Sequence, residues 1–159
     1  MKAKHHFWSS LAVGGALYWS SGSASSLAGA MIGGFLIDSD HLIDQMWAVH
    51  LGAPHMRGKA EGARTGITAR PWFERYVKRR KLLRMPLIFH SYELLVALTA
   101  IAVSVRSPFL IGLGAGYALH LALDLGRHHH EFRSPLFYLL IYRMALGFER
   151  KKLIKPDYL

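Results

Sequence analysis

Histidine and carboxylate side chains are paired at helical spacing in three separate segments of this sequence. The pairs are His90 and Glu93, His120 and Asp124, Asp38 and His41, and Asp40 and Asp44. Residues three or four positions apart lie on one face of a helix, with Cβ atoms about 5–6 Å apart, so each pair can close on one ion. Imidazole and carboxylate ligands without sulfur suit zinc, manganese or iron(II). The spacing therefore predicts one or two divalent transition-metal ions, with zinc favoured.

The chemistry that such ligands support is metal-dependent hydrolysis. A two-metal centre polarises a phosphoryl oxygen, activates a bound water and clamps the attacking and leaving oxygens, so a phosphoester is the natural substrate. Glu93 is interpreted as a ligand or the general base, and Asp40 as a ligand or catalytic carboxylate. Arg84 and Arg127 border the same segments and are predicted to bind an anionic headgroup of the substrate.

The composition is strongly basic and unusually apolar. Hydrophobic residues make up 52% of the 159 residues, and 20 Lys and Arg against 10 Asp and Glu give a formal net charge of +10. Basic and apolar residues together indicate a membrane protein before a nucleic-acid binder. Since the chain has no cysteine, disulfides, thiolate zinc sites and iron–sulfur clusters are excluded. The length fits a single domain, residues 1–159.

The elements that must position these residues are apolar blocks. They are residues 7–37, 85–105, 107–125 and 136–148. The first block is interrupted by serines and a glycine at 20–26, which predicts a hairpin of two short helices rather than one tilted helix. The second and third are long enough to span a bilayer of about 30 Å, whereas the last carries Arg143 and fits a short interfacial or re-entrant helix. The predicted fold is an all-α integral membrane protein, a bundle of about four transmembrane helices plus that C-terminal helix.

Charge predicts the orientation of this bundle. Ten lysines and arginines against two glutamates fall in the basic loop at 52–84, so the positive-inside rule places this loop and both termini in the cytoplasm. The metal-ligating residues of all four predicted helices then lie at one depth, just inside the cytoplasmic face. Ionisable groups cost about 2.5–3.5 kcal/mol each at the centre of a membrane helix, so they persist where they pair or bind something. Cleavage of residues 1–25 as a signal peptide is the alternative for the N-terminus.

Four of these motifs, in this order, resemble the YdjM-like family of bacterial inner-membrane metal-dependent hydrolases. The motifs are a histidine before the first apolar helix, Asp38-Ser39-Asp40-His41, His90-Ser91, and Gly116-Tyr-x-x-His120-x-x-x-Asp124. The resemblance covers roughly residues 4–126. It implies a hydrolase embedded in the bacterial inner membrane, multi-pass, with both termini cytoplasmic. The ligands that it implies are His6, Asp38, Asp40, His41, His90, His120 and Asp124.

Two other classes of function remain open on the sequence. A metal-ion binding or transport protein would also gather His and Asp, but it would need ligands near mid-membrane and a polar path to the other side. A non-enzymatic membrane anchor would use the polybasic loop alone. Membrane lipids with anionic headgroups explain that loop better than nucleic acid does, because each Lys or Arg gains about 1 kcal/mol from an anionic leaflet. The sequence gives no indication of an oligomeric state.

Overall fold

The computed structural model describes residues 3–41 and 84–159, and within these residues it is helical with no strand. The predicted all-α class is therefore confirmed for the described part of the chain. The basic loop at 52–84 lies outside the described residues except for Arg84, as does Asp44. The placement of that loop in the cytoplasm stays a prediction.

The first apolar block forms two helices, as its central serines and glycine predict. Helix α1 spans Ala3–Ser21, helix α2 spans Ala24–Phe35, and a 3-10 turn at Leu36–Asp38 ends α2. The chain reverses at Gly22, whose φ of 68° lies in the left-handed region that glycine adopts without strain. Helix α1 therefore begins, and α2 ends, at the same end of the hairpin.

The next two helices each begin at a serine cap. Helix α3 spans Tyr92–Val105 after Ser91, whose side chain accepts a hydrogen bond from the Leu94 backbone N–H. Helix α4 spans Pro108–His128 after Ser107, with proline at its first position. Arg106, with φ of 53°, ends α3 and lets the chain reverse into α4.

Helix α2 packs between α1 and α4, and α3 packs on α4. The α2–α4 contact is made by glycines, because a Cβ atom at Gly29, Gly33, Gly112 or Gly116 would overlap the backbone of the facing helix. The glycines are four residues apart on each helix, a spacing that lets two helices pack closely. This contact brings the C-terminal end of α2 against the C-terminal half of α4.

Only α4, among the described residues, is both long and apolar enough to cross a membrane. Helix α3 is apolar but has 14 residues, which is short for a span of about 30 Å. One helix could therefore cross a membrane, and the four-span arrangement stays a prediction.

The C-terminal segment, residues 131–159, is not the helix predicted for 136–148. It contains a 3-10 turn at Pro135–Tyr138, helix α5 at Leu140–Ala145, helix α6 at Arg150–Leu153 and a final turn at Pro156–Tyr158. Leu139 is extended and separates the first turn from α5. Buried side chains of this segment, including Phe137, Tyr138 and Leu153, share a hydrophobic core with Leu87 and Tyr117. The segment therefore folds against the protein, and Arg143 is fully buried rather than interfacial.

Candidate metal centre

The site is built around the imidazoles of His120 and His90, whose Nδ1 atoms already have hydrogen-bond partners. Nδ1 of His120 lies 2.8 Å from the Gly34 carbonyl oxygen, and Nδ1 of His90 lies 2.9 Å from Oδ2 of Asp40. A carbonyl and a carboxylate oxygen only accept, so each Nδ1 is the protonated nitrogen. In the neutral rings, both Nε2 atoms then carry lone pairs, and they face each other at 3.1 Å.

The carboxylates of Asp38 and Asp124 lie close to the same two Nε2 atoms. Asp38 Oδ1 lies 3.6 Å from His90 Nε2 and 3.5 Å from His120 Nε2, and Asp124 Oδ2 lies 3.5 and 3.3 Å from the same two atoms. In a tetrahedral site with ligands at 2.0–2.1 Å, ligand atoms are about 3.3–3.4 Å apart. The five distances that each involve an imidazole Nε2, 3.1–3.6 Å, therefore match the spacing of a zinc-type ligand set. A buried His/Asp cluster that could hold a metal ion is present.

His6 joins this cluster from the first turns of α1. Its ring stacks on His120 with centroids 4.1 Å apart, and its Nε2 lies 3.2 Å from Oδ1 of Asp124. The side chain is 1% exposed, and its Nδ1 has no hydrogen-bond partner. A buried ring nitrogen of this kind loses solvation without compensation unless it binds something. Ligand atoms of His6, Asp38, His120 and Asp124 all lie within 4.8 Å of one another.

Asp40 and His41 take different places around His90. Asp40 is buried behind the ring and holds its Nδ1, as carboxylates commonly do for metal-binding histidines. His41 lies on the exposed side, with its ring centroid 4.8 Å from that of His90 and its Nε2 3.9 Å from Asp38 Oδ1. The side chains of His41 and Asp38 are 41% and 32% exposed, so the cluster opens to solvent on their side.

Burial alone would raise the pKa of the Asp38 carboxyl group. Its hydrogen bond with His90 and its closeness to the imidazoles of His120, His41 and His6 outweigh burial and hold that pKa below its ordinary value. Asp38 is therefore an anion at neutral pH, which is the form that binds a cation.

Glu93 is not brought to the cluster. Its carboxylate oxygens accept hydrogen bonds from the backbone N–H groups of Leu140 and Ile141, at 2.9 and 3.0 Å. These amides begin α5 and have no hydrogen-bond partner within that helix, so the carboxylate satisfies them. The negative charge of the carboxylate is also stabilised by the positive end of the helix dipole. The structure thus gives Glu93 a structural role in place of the ligand or general base that spacing predicted.

Arg84 and Arg127 are both exposed, and the structure records no contact of either with the cluster. Arg84 pairs through its backbone with Glu149, and Arg127 lies in the last turn of α4, three residues after Asp124. Their predicted role in binding an anionic substrate stays a prediction.

Sequence reasoning missed three groups that hold the ligands. The Gly34 carbonyl orients His120, and a backbone acceptor leaves no signal in a sequence. Tyr117 holds the chain around His90, with its hydroxyl 2.6 Å from Phe89 O and 2.8 Å from Ser91 O. Its position in the Gly-Tyr-x-x-His motif, one turn before His120, was the available signal for Tyr117. The third group is Arg143, which donates a hydrogen bond from Nη2 to the His90 carbonyl oxygen at 2.8 Å.

The chain was compared with protein-family models, with curated proteins and with solved structures, and no match was found in any of the three. The resemblance of its motifs to the YdjM-like family therefore stays a prediction. What the cluster does has to be inferred from its own geometry.

Proposed function

We propose that this protein is a membrane-bound hydrolase that uses a divalent metal ion to cleave a phosphoester, in a lipid or another membrane-associated substrate. The observation that carries the proposal is that each of the two imidazole Nε2 atoms lies 3.1–3.6 Å from the other and from both carboxylate oxygens. With both imidazoles neutral, these electron-rich atoms repel one another, and a metal ion bound between them would remove that repulsion. Zinc suits this nitrogen and oxygen set best, with manganese or iron(II) as the alternatives.

The residues divide into ligands, orienting groups and an open edge. His90, His120, Asp38 and Asp124 would hold the ion, while Asp40 and the Gly34 carbonyl fix the two imidazoles. A metal ion bound here would supply a Lewis acid for the phosphoryl oxygen and an activated water.

The chain's own residues supply the remaining requirements of hydrolysis. The half-exposed ring of His41 lies beside Asp38 at the open edge, where it can exchange a proton with the substrate. His6 borders Asp124 on the buried side and either completes the ligand set or helps to hold a second ion.

The membrane location is part of the proposal. Helix α4 is long and apolar enough to cross a bilayer, and large apolar side chains are exposed on the other helices. Examples are Trp8 and Trp19 on α1, and Val96 and Val103 on α3. Lipid would cover these large apolar side chains. We infer a multi-pass protein of the bacterial inner membrane with four spans, the shorter of which would thin the bilayer locally.

In this arrangement the cluster lies at one end of the bundle, because it combines the start of α1, the end of α2, the residues before α3 and the last third of α4. That end would face the cytoplasmic leaflet, with the basic loop and both termini. An anionic headgroup would then be drawn to the site by the basic residues around it. Transport is less favoured, since it would require ligands nearer the middle of the helices.

The direct test is metal content together with hydrolysis. We expect detergent-purified protein to contain one or two transition-metal ions per chain, and to release product from a phosphomonoester, a phosphodiester or a phospholipid in mixed micelles. Removal of the metal with a chelator should abolish product release, and zinc should restore it. Elemental analysis and a phosphate-release assay measure the two quantities. Bound metal without hydrolysis of any of the three substrates would favour a metal-binding or transport protein, and absence of metal would favour an anchor.

Topology is a separate prediction. A reporter fused within the Gly58 to Arg70 region should give a cytoplasmic signal, and one fused in the Ser20 to Ser26 turn should give an external signal. A fusion at Arg106 is the matched control, because the α3–α4 turn should also be external. Signals from one side at all three positions would contradict the four-span arrangement.

A further inference from the structure

The loop that carries His90, residues 85–91, is held by hydrogen bonds to its carbonyl oxygens. Arg143 donates from Nη1 to the carbonyls of Pro86 and Leu87, and from Nη2 to the carbonyl of His90 itself, all at 2.8 Å. Hydrogen bonds from a charged donor are stronger than neutral ones. One guanidinium therefore fixes the backbone on both sides of a candidate ligand.

This loop has a conformation that needs such support. Leu87 has a φ of 43°, in the left-handed region that residues with a Cβ rarely occupy. Its side chain is buried in the core, so the residue cannot relax towards solvent. A strained backbone of this kind persists only where the surrounding contacts hold it in place. The carbonyls that Arg143 binds include that of Leu87.

Arg143 is itself rigidly placed. It is 0% exposed, and its guanidinium carbon lies 5.6 Å from the centroid of the Phe137 ring. It belongs to α5, whose first amides bind the carboxylate of Glu93, a residue on the other side of His90 in the chain. The two contacts are reciprocal, since α5 holds the loop before α3 and α3 holds the start of α5.

From this geometry we propose that Arg143 is a positioning residue for His90. Through Arg143, the C-terminal segment helps to hold a ligand of the metal centre in place. The role rests on the proposed metal site, because it acts only through the ligand that it places. Without the guanidinium, the loop loses the donors that set its conformation, and Nε2 of His90 leaves the position opposite His120. Without this role, the C-terminal segment would contribute only hydrophobic packing to the protein.

The test compares Arg143→Met with Arg133→Met. Arg133 is the matched control, because it also lies in the C-terminal segment and donates to a backbone carbonyl, that of Ile154, away from His90. We expect Arg143→Met to bind zinc about 10–100-fold more weakly than the wild type, the usual loss when an orienting partner of a ligand is removed. Arg133→Met should keep wild-type affinity. Competition with a chromophoric chelator measures affinity, and thermal unfolding in excess chelator measures stability without metal.

A spectroscopic readout separates positioning from stability. In cobalt-substituted protein, the visible absorption of Arg143→Met should shift towards that of His90→Ala, whereas Arg133→Met should keep the wild-type spectrum. Arg143→Lys retains a cation that reaches fewer carbonyls, so its affinity should fall by less than about tenfold. If Arg143→Met does not fold, Arg143→Lys and Glu93→Gln should still show weakened zinc binding.

Two results would overturn the proposal, and they are distinguishable. Wild-type zinc affinity and cobalt spectrum in Arg143→Met or Arg143→Lys, with lower thermal stability, would show that Arg143 only stabilises the fold. Failure of the wild-type protein itself to bind zinc or cobalt would overturn the metal site, and with it any positioning role.

Discussion

His120→Ala and Asp124→Ala are each expected to lower zinc affinity by more than about 100-fold and to abolish phosphoester hydrolysis. This loss of affinity is larger than the loss of about 10–100-fold that is usual when a residue that only orients a ligand is removed. His120 Nε2 and Asp124 Oδ2 lie 3.3 Å apart on one face of α4, and both approach His90 and Asp38. Removing either one leaves a ligand set with too few donors to hold the ion against water. Zinc affinity by chelator competition and product release by the phosphate assay measure the two losses.

The double variant distinguishes a metal site from a structural pair. If the two residues only stabilise each other, each single variant leaves a buried polar group unsatisfied, and removal of both should recover stability while metal content stays unchanged. If they bind one ion, the double variant should lose little more activity than either single variant, since the ligands act as a unit. Thermal unfolding in chelator and the hydrolysis assay, applied to all four proteins, separate these cases.

His128 and Glu131 provide a matched control for the double variant. They are also a histidine and a carboxylate three residues apart, with Nδ1 and Oε1 2.6 Å apart, but His128 ends α4 and Glu131 follows it, outside the cluster. Their replacement by alanine should leave zinc affinity and hydrolysis unchanged. Undiminished metal content and activity in the His120 and Asp124 double variant would contradict the hydrolase site.

Helical spacing predicted much of the cluster because it is a local property. The i,i+4 relation of His120 and Asp124 needs only that α4 is a helix. The turn at Gly22 then determines that α1 begins where α2 ends, so that His6 and Asp38 meet at the same end. Alternation of short apolar blocks and turns was enough to predict this convergence.

Spacing failed where a side chain had a stronger partner far along the chain. Glu93 has the same relation to His90 as other paired residues have to each other, but the unpaired amides of α5, 47 residues away, take its carboxylate. Arg143 in an apolar block resembles an interfacial charge, and its acceptors are carbonyls more than 50 residues away. Backbone amides and carbonyls have no sequence signature, so neither outcome was accessible without the tertiary structure.

Gly112→Ala is expected to destabilise the protein by about 3 kcal/mol, near the upper end for overpacking. A Cβ at this position would overlap the carbonyl oxygen of Ser26 on the facing helix. A backbone atom cannot rotate away as a side chain can, so α2 must move as a whole. For a chain of this size, the loss corresponds to a melting temperature lower by about 6–12 °C.

Gly114→Ala is the control, because Gly114 lies on the same helix with only Thr99 Oγ1 near its added Cβ, at 4.0 Å. Alanine there should gain up to about 1 kcal/mol of helix propensity.

The displacement of α2 in Gly112→Ala should also move the Gly34 carbonyl away from His120 and weaken zinc binding. Thermal unfolding in detergent with chelator, followed by zinc titration, measures both effects. Equal melting temperatures for the two variants would contradict the close α2–α4 contact, and wild-type zinc affinity in a destabilised Gly112→Ala would show that the site does not depend on it.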